Sequence, residues 1–306
     1  MQETGNVEKR RWSFIPAEKR KIMMKEYVLG DYILGIRSDI GPRILKLAPK
    51  DCPGKNLFGI LPDFGMETEE GFWHIYGGHR LWTAPEANPR SYSPDDRPVK
   101  VEAKEEYVKI YGNTEIQNSI QKEIVIRISG RGSLEVTHRI KNTGRWTMEL
   151  ACWALTVMKK GGFAILPVKR GKSGLLPDRR IILWPYTDLS DSRLVMGKDA
   201  VFLQQDEKAV APCKIGVSAN PCWTAYWVDG MLFVKRFSRG EGIYPDYGCS
   251  VEAYTNRDML ELETLGTMKK LEPGQVAEHR EVWSIKKVSL LSPSQKELEK
   301  KIPGLF

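Results

Sequence analysis

The stretch WTAYWVDGMLFVKRF, residues 223–237, decides the reading of the chain. Two aromatic and β-branched runs flank Asp229-Gly230, a dipeptide that supplies the positive φ angles a two-residue hairpin turn requires. The segment is therefore predicted as a pair of antiparallel strands. Similar short runs recur outward from it: YVKIYGN (107–113), KEIVIRISG (122–130), SLEVTHRIKNTG (133–144), MELACWALTVM (148–158), FAILP (163–167), IILWPY (181–186), CKIGVSAN (213–220), CSVEAYT (249–255), MLELETLG (259–266) and REVWSIKKV (280–288). Gly, Asn, Asp or Pro punctuates almost every one, which is the pattern of strands and turns. A further hairpin is read in DYILGIRSDIGPRILKLAP (31–49), with Ile33, Gly35 and Arg37 on one face, Tyr32, Leu34 and Ile36 on the other, and a Gly-Pro turn after them. Without long helical patterns between the strands there is no case for a parallel sheet. The expectation is an all-β chain, a large antiparallel sandwich over 27–290. A charged arm precedes it over 1–26, helical in AEKRKIMMKEY (17–27), and a helical tail follows over 291–306.

Composition excludes several function classes. No apolar run reaches the ~18 residues that a membrane-spanning helix needs. The N-terminus is charged throughout and lacks the apolar core of a secretory signal, which predicts a cytoplasmic protein. The five cysteines form an odd set without a C-x-x-C pair, so neither a zinc ribbon nor a disulfide framework is indicated. The formal charge of +8 is carried by the N-terminus, by PVKRGKSGLLPDRR (167–180) and by SPSQKELEKKIPGLF (292–306). No nucleic-acid motif accompanies these clusters, so they read as a solvated basic surface, and neither nucleic acid nor a membrane is expected as a partner. VKRGKS has Leu166 where a phosphate-binding loop needs its first glycine, and no G-x-S-x-G or H-E-x-x-H occurs.

The chemistry-bearing residues fall in three places. In YGGHRLW (76–82), Gly77 and Gly78 let a ligand or a second strand approach closely. His79 is suited to acid–base work near neutral pH, and Arg80 offers a planar fork of donors. His74 lies five residues before His79, a spacing that aims two imidazoles at one metal on neither helix nor strand, so no metal is expected. His138 shares a face with Leu134, Val136 and Ile140 and reads as a core histidine, while His279 reads as a strand-edge residue. In MLELETL the strand period puts Glu261, Glu263 and Leu265 on one face and Leu260, Leu262 and Thr264 on the other. Two carboxylates on one face become proton-transfer groups if the face lines a cleft. Taken alone, they read as ordinary solvated charges. Finally, Trp184, Tyr186, Asp188 and Arg193 share the turn-rich LWPYTDLSDSR (183–193), and several of the nine tryptophans stand near polar residues, as flat apolar surfaces for a sugar ring would.

The order IGPRILKLAP…KNLFGI, YGGHRLWTAPE…YSPDDRPV, HRIKNTG…ELACWALTVMKKGGFAILP…ILWPYTD and VEAYTNRDMLELETLG…LEPGQVAEHREVW resembles the DUF4380 group of uncharacterised proteins, in the galactose mutarotase-like (aldose 1-epimerase-like) superfamily. The resemblance spans about residues 27–286, with GGHRLW-x-APE its most specific block. It implies a β-supersandwich that binds a small-molecule carbohydrate and needs no cofactor. It also implies a histidine acid and a glutamate base that open and reclose the sugar ring by proton transfer at the anomeric centre. By position the base corresponds to Glu263, with Glu261 and Glu252 behind it, and His79 stands in as acid. Arg80, His74, Trp82, Arg43, Trp184, Asp188 and Glu252 are the candidate binding residues. The sequence departs from the superfamily in one respect. The strand after N-T-G carries Trp153 and Ala154 where mutarotases carry a catalytic histidine, so a catalytically silent sugar-binding protein, or a binder of a phosphorylated sugar or other anion, stands beside the epimerase reading.

Overall fold

The computed structural model describes residues 13–14, 24–289 and 292–305. Two large sheets make the body. The first has ten strands in the order Leu194–Met196, Ala200–Gln204, Phe163–Pro167, Trp223–Val228, Met231–Phe237, Val276–Lys287, Leu134–Asn142, Ile120–Ile128, Tyr107–Glu115 and Lys100–Ala103. The second runs Ile181–Leu183, Cys213–Val217, Val251–Thr255, Leu260–Leu265, Met148–Met158, His79–Ala84 and Arg43–Ile44, with Lys269–Leu271 joined to the start of Met148–Met158. Neighbouring strands in both sheets pair antiparallel, as the short connections demand. No helix among the described residues is long and apolar enough to cross a membrane.

The hairpin at Asp229-Gly230 forms as read: Val228 pairs with Met231, and both turn residues have positive φ, 49° and 76°. An alanine at position 230 would hold a left-handed conformation that only glycine adopts freely. Gly230→Ala is expected to lower stability by about 1 kcal/mol in chemical denaturation, with the fold unchanged. Tyr32–Arg37 pairs with Lys46–Pro49 across the Gly-Pro turn. Its other neighbour corrects the expectation for the arm. Met24–Leu29 is a strand paired with Tyr32–Arg37, and not the end of a helix. Its Lys, Glu and Met favour a helix locally, but the adjacent edge offers a full ladder of hydrogen bonds, and tertiary pairing overrides so weak a propensity. The rest of the arm's helical segment, 17–23, lies outside the described residues. Near the other end, Gln295–Lys301 is helical, capped by Ser294.

Three apolar clusters follow from the layering. The main one fills the space between the two sheets, where Leu81, Cys152, Leu260 and Leu262 meet Val136, Tyr226, Phe233 and Trp283. Another covers the outer face of the ten-stranded sheet, where Leu298, Ile302 and Leu305 of the C-terminal segment pack on Phe163, Phe202, Trp223 and Val234. The last lies on the outer face of the eight-stranded sheet and includes Trp73, Trp82, Tyr92, Trp153 and Leu155. A hairpin of Ile60–Thr68 and Gly71–Gly77 contributes Trp73, Phe64 and Met66 to it. This added layer buries both faces of the central strands, so His79–Ala84 and Leu260–Leu265 show no exposed residue.

His279 is not at a strand edge. Val276–Lys287 lies between two long strands, and His279 pairs with His138 and is buried. Ala277, His279, Glu281 and Trp283 alternate inward, a polar-bearing series that hydrophobic periodicity does not reveal.

Candidate functional site

Strand register places the site. Glu252 pairs with Glu263, Glu263 with Leu155, and Leu155 with Arg80, so four neighbouring strands carry one row across the outer face of the eight-stranded sheet. Two residues along, Lys214 pairs with Tyr254 and Tyr254 with Glu261. In the other direction Trp153 pairs with Trp82. These rows floor a pocket of about 270 Å³, walled by Trp73, Trp184, Tyr186 and Tyr92. Glu261 and Glu263 are therefore not solvated charges: they are only 8% and 1% exposed, because neighbouring aromatic side chains close over the face they share.

Two cations organise the pocket in the same way. The Arg80 guanidinium lies over Trp82, 4.6 Å from the ring centre, and 5.7 Å from that of Trp73, while its Nη1 donates to Glu261 Oε1 at 2.7 Å. The Lys214 ammonium stands 4.7 Å and 4.6 Å from the ring centres of Trp153 and Trp184. It reaches Glu252 Oε2 at 2.8 Å and Glu263 Oε2 at 3.1 Å. Trp153 Nε1 donates to the same Glu263 oxygen at 2.8 Å. Such cation–π contacts strengthen when water is excluded.

Protonation follows from burial and charge. Burial drives Glu252 well above the ordinary carboxylate range, against the pull of Lys214, and it raises Glu263 with Glu261 adding to the effect. For Lys214, burial opposes the charged form, but Glu252 and Glu263 outweigh it and hold the amine well above its usual value. The unit is thus a charged lysine beside two buried carboxyls that favour sharing one proton between them, the arrangement expected when two like charges crowd one partner. Among the described residues Glu263 Oε1 is buried and takes no N–H or hydroxyl hydrogen bond, and the neighbouring Glu252 carboxyl lies within hydrogen-bonding reach of Glu263.

Of the residues singled out from sequence, Glu261, Glu263, Arg80, Trp82, Trp184 and Tyr186 line this pocket, and Glu252 is joined to it through Lys214. The others are elsewhere. His79 is one residue from Arg80 and so points to the opposite face, between the sheets. Arg43 is buried and ties the covering hairpin down, with Nη1 donating to the Ile75 carbonyl at 2.8 Å and Nη2 paired with Asp95 at 2.8 Å. His74 stacks on Tyr76 and lies 3.2 Å from the Pro62 carbonyl. Asp188 is exposed and accepts from Ser190 in its own turn. Lys214, Tyr254 and Tyr92 were not singled out. For Lys214 a signal exists, since it is the lone charge inside the otherwise apolar strand Cys213–Val217.

Behind the pocket, the same strands carry a second polar assembly, enclosed between the sheets. His138 Nδ1 is 3.1 Å from the His279 carbonyl oxygen, which only accepts, so neutral His138 carries its proton there and Nε2 accepts. His79 Nε2 is then the donor to His138 Nε2 at 2.7 Å, and His79 Nδ1 accepts from the Thr156 hydroxyl at 2.8 Å. Glu281 takes hydrogen bonds from Trp283 Nε1 and the Thr264 hydroxyl and pairs with the Lys235 ammonium at 3.1 Å. His79, His138 and Glu281 have the composition of a metal-ligand set. However, their facing nitrogens are at hydrogen-bonding distance and the nearby charge is already supplied by Lys235, so the donor set does not fit a metal ion.

No family model and no curated protein matches the chain in sequence. Solved structures do match in fold. A TPR-domain containing protein from Parabacteroides distasonis superposes with a TM-score of 0.61 at 13% identity, over 89% of this chain and 49% of the other, so the chain spans about half of that protein's length. A putative mutarotase from Salmonella typhimurium gives 0.54 at 10% identity, over 86% and 90% of the two chains. A galactose mutarotase-like protein from Lactobacillus casei gives 0.51 at 9% identity, over 86% and 100%. At these identities the likeness is one of fold, and the chain has the galactose mutarotase-like β-sandwich fold.

Proposed function

We propose that the pocket on the outer face of the eight-stranded sheet binds a small neutral carbohydrate, and that the chain is a relative of the DUF4380 group, whose GGHRLW-x-APE block it carries. The observation that supports this most is the combination of aromatic walls with the polar side chains of Glu261, Glu263 and Tyr254 in one pocket. Flat rings take the C–H face of a sugar, and the Glu261, Glu263 and Tyr254 side chains offer hydrogen-bonding partners for its hydroxyls. A neutral ligand is favoured over a phosphorylated one because the cations are already matched. Arg80 faces Glu261, Arg43 faces Asp95, Arg193 faces Asp191, and these arginines do not converge on one point.

Binding is favoured over epimerisation by a His79–Glu263 couple. A general acid and base must reach the same ring, and these two side chains project from opposite faces of one sheet.

The reading is tested by saturation-transfer NMR and calorimetry with hexoses, pentoses and hexose phosphates, together with exchange of the anomeric protons. Neutral sugars are expected to bind. Trp82→Ala and Glu263→Gln are each expected to weaken binding by about 10-fold, the scale of one lost hydrogen bond or aromatic contact. Failure of every sugar to bind would remove the proposal. Accelerated anomeric exchange that vanishes in Glu263→Gln would replace it with a mutarotase that uses an acid other than His79.

A further inference from the structure

The loop between Pro167 and Ile181 carries the basic cluster noted in the sequence and takes no part in the pocket. It is a braced structure. Gly171 N donates to Asp178 Oδ2 at 2.6 Å across its base, the Ser173 hydroxyl donates to the Leu176 carbonyl at 2.8 Å, and Arg179 Nη1 donates to the Lys198 carbonyl at 3.0 Å. The bracing displays Leu175 and Leu176 side by side at the tip, 104% and 72% exposed. Arg170, Lys172, Arg179 and Arg180 flank them and are all exposed. The loop's one acidic side chain, Asp178, is occupied with the Gly171 amide.

Single exposed apolar residues are ordinary on a protein surface. Two adjacent leucines held out on a closed loop, ringed by four cations, have the makeup of an interfacial anchor. The leucines enter the acyl boundary, the long basic stems lie along it, and the charged heads stay among the headgroups. Against the expectation from sequence of a solvated basic surface with no membrane partner, we propose that this loop, with its exposed Leu175 and Leu176, docks the protein reversibly onto an anionic lipid bilayer. Charge complementarity selects that occupant. A second copy related by a two-fold axis would set like charges against each other. A nucleic acid would use the cations but leave the two leucines in water, and the loop has no aromatic ring for a base to stack on.

The test is co-sedimentation of the full chain with phosphatidylcholine vesicles, with and without phosphatidylserine, at low and high salt. Binding is expected only with phosphatidylserine and should fall as salt rises. Leu175→Ser/Leu176→Ser and, separately, Arg170→Gln/Lys172→Gln are each expected to weaken it about 10- to 30-fold with an unchanged melting temperature, since all four side chains are exposed. Absence of binding to anionic vesicles overturns the proposal. So does binding that both variants leave intact, which would place the contact on another basic surface. Loss of self-association in the leucine variant, without vesicle binding by the parent, would assign the loop to a contact between copies, and retention on nucleic acid alone would assign it there.

Discussion

Lys235→Met is expected to destabilise the protein by about 3–5 kcal/mol, the cost of leaving a buried carboxylate without its cation. Lys235 and Glu281 are both fully buried between the sheets and 3.1 Å apart. The ammonium also lies 3.4 Å and 3.3 Å from the carbonyls of Ala154 and Leu262 on the facing sheet. With the histidines and threonines beside it, it forms a polar rivet through the apolar packing between the sheets. Burial lowers the Lys235 pKa and Glu281 opposes that shift, while Lys235 favours the Glu281 charge in turn, so the two charges support each other. The double variant Lys235→Met/Glu281→Gln removes both charges and keeps an acceptor for Trp283, so it is expected to recover a large part of the loss. Guanidinium denaturation of the two single variants and the double variant measures the coupling. A single-variant loss below about 1 kcal/mol would show that the pair is not what compensates Glu281.

Acid should unfold this protein through its histidines. Burial, the leading cause in each case, holds His79 well below its usual pKa, lowers His138, and lowers His279 to about 3. The folded state therefore binds fewer protons than the unfolded state once pH falls below the unfolded value near ~6.5. Stability from these groups is complete above that pH and is lost progressively toward pH 3. Glu281, which burial pushes up but Lys235 and the neighbouring groups bring down to about 2, adds a loss of the same sign below the ordinary carboxylate range. Glu252 and Glu263 act in the opposite direction, since their raised values mean stability that is lost as pH rises. For His279 alone the loss between pH 6.5 and 3 is on the order of 4 kcal/mol. Urea midpoints measured from pH 7 to pH 4 should fall steeply, and His279→Gln should flatten the slope by roughly 1.4 kcal/mol per pH unit. Identical slopes would show that the histidine is not excluded from protonation.

How far these features were legible depended on whether they were local. The Asp229-Gly230 turn and the period-two runs are properties of a few consecutive residues, and the strands they predict are present. Which face of Leu260–Leu265 carries the two glutamates is equally local. That this face is buried is not local, because it depends on the hairpin Ile60–Thr68 and Gly71–Gly77 packing over distant strands. The misplacement of His79 has the same origin. In His79–Ala84 every residue is buried, so no polar–apolar alternation distinguishes the side of His79 from the side of Arg80. Lys214 is the lone charge in its apolar strand and Lys235 is followed only by Arg236 in its own, and the carboxylates that retain them come from other strands.

The double glycine before His79 gains a different meaning from this geometry. A Cβ at Gly77 would fall 2.2 Å from the Gly59 carbonyl oxygen, and one at Gly78 2.3 Å from the Ile44 carbonyl oxygen. Only bare backbone fits there, so the pair acts as a keyway that fixes where the strand starts. Shifted by one residue, the strand would exchange its two faces, driving Arg80 into the dry interior and presenting an imidazole to the pocket. The chemical identity of the pocket is thus set in part by two residues with no side chain.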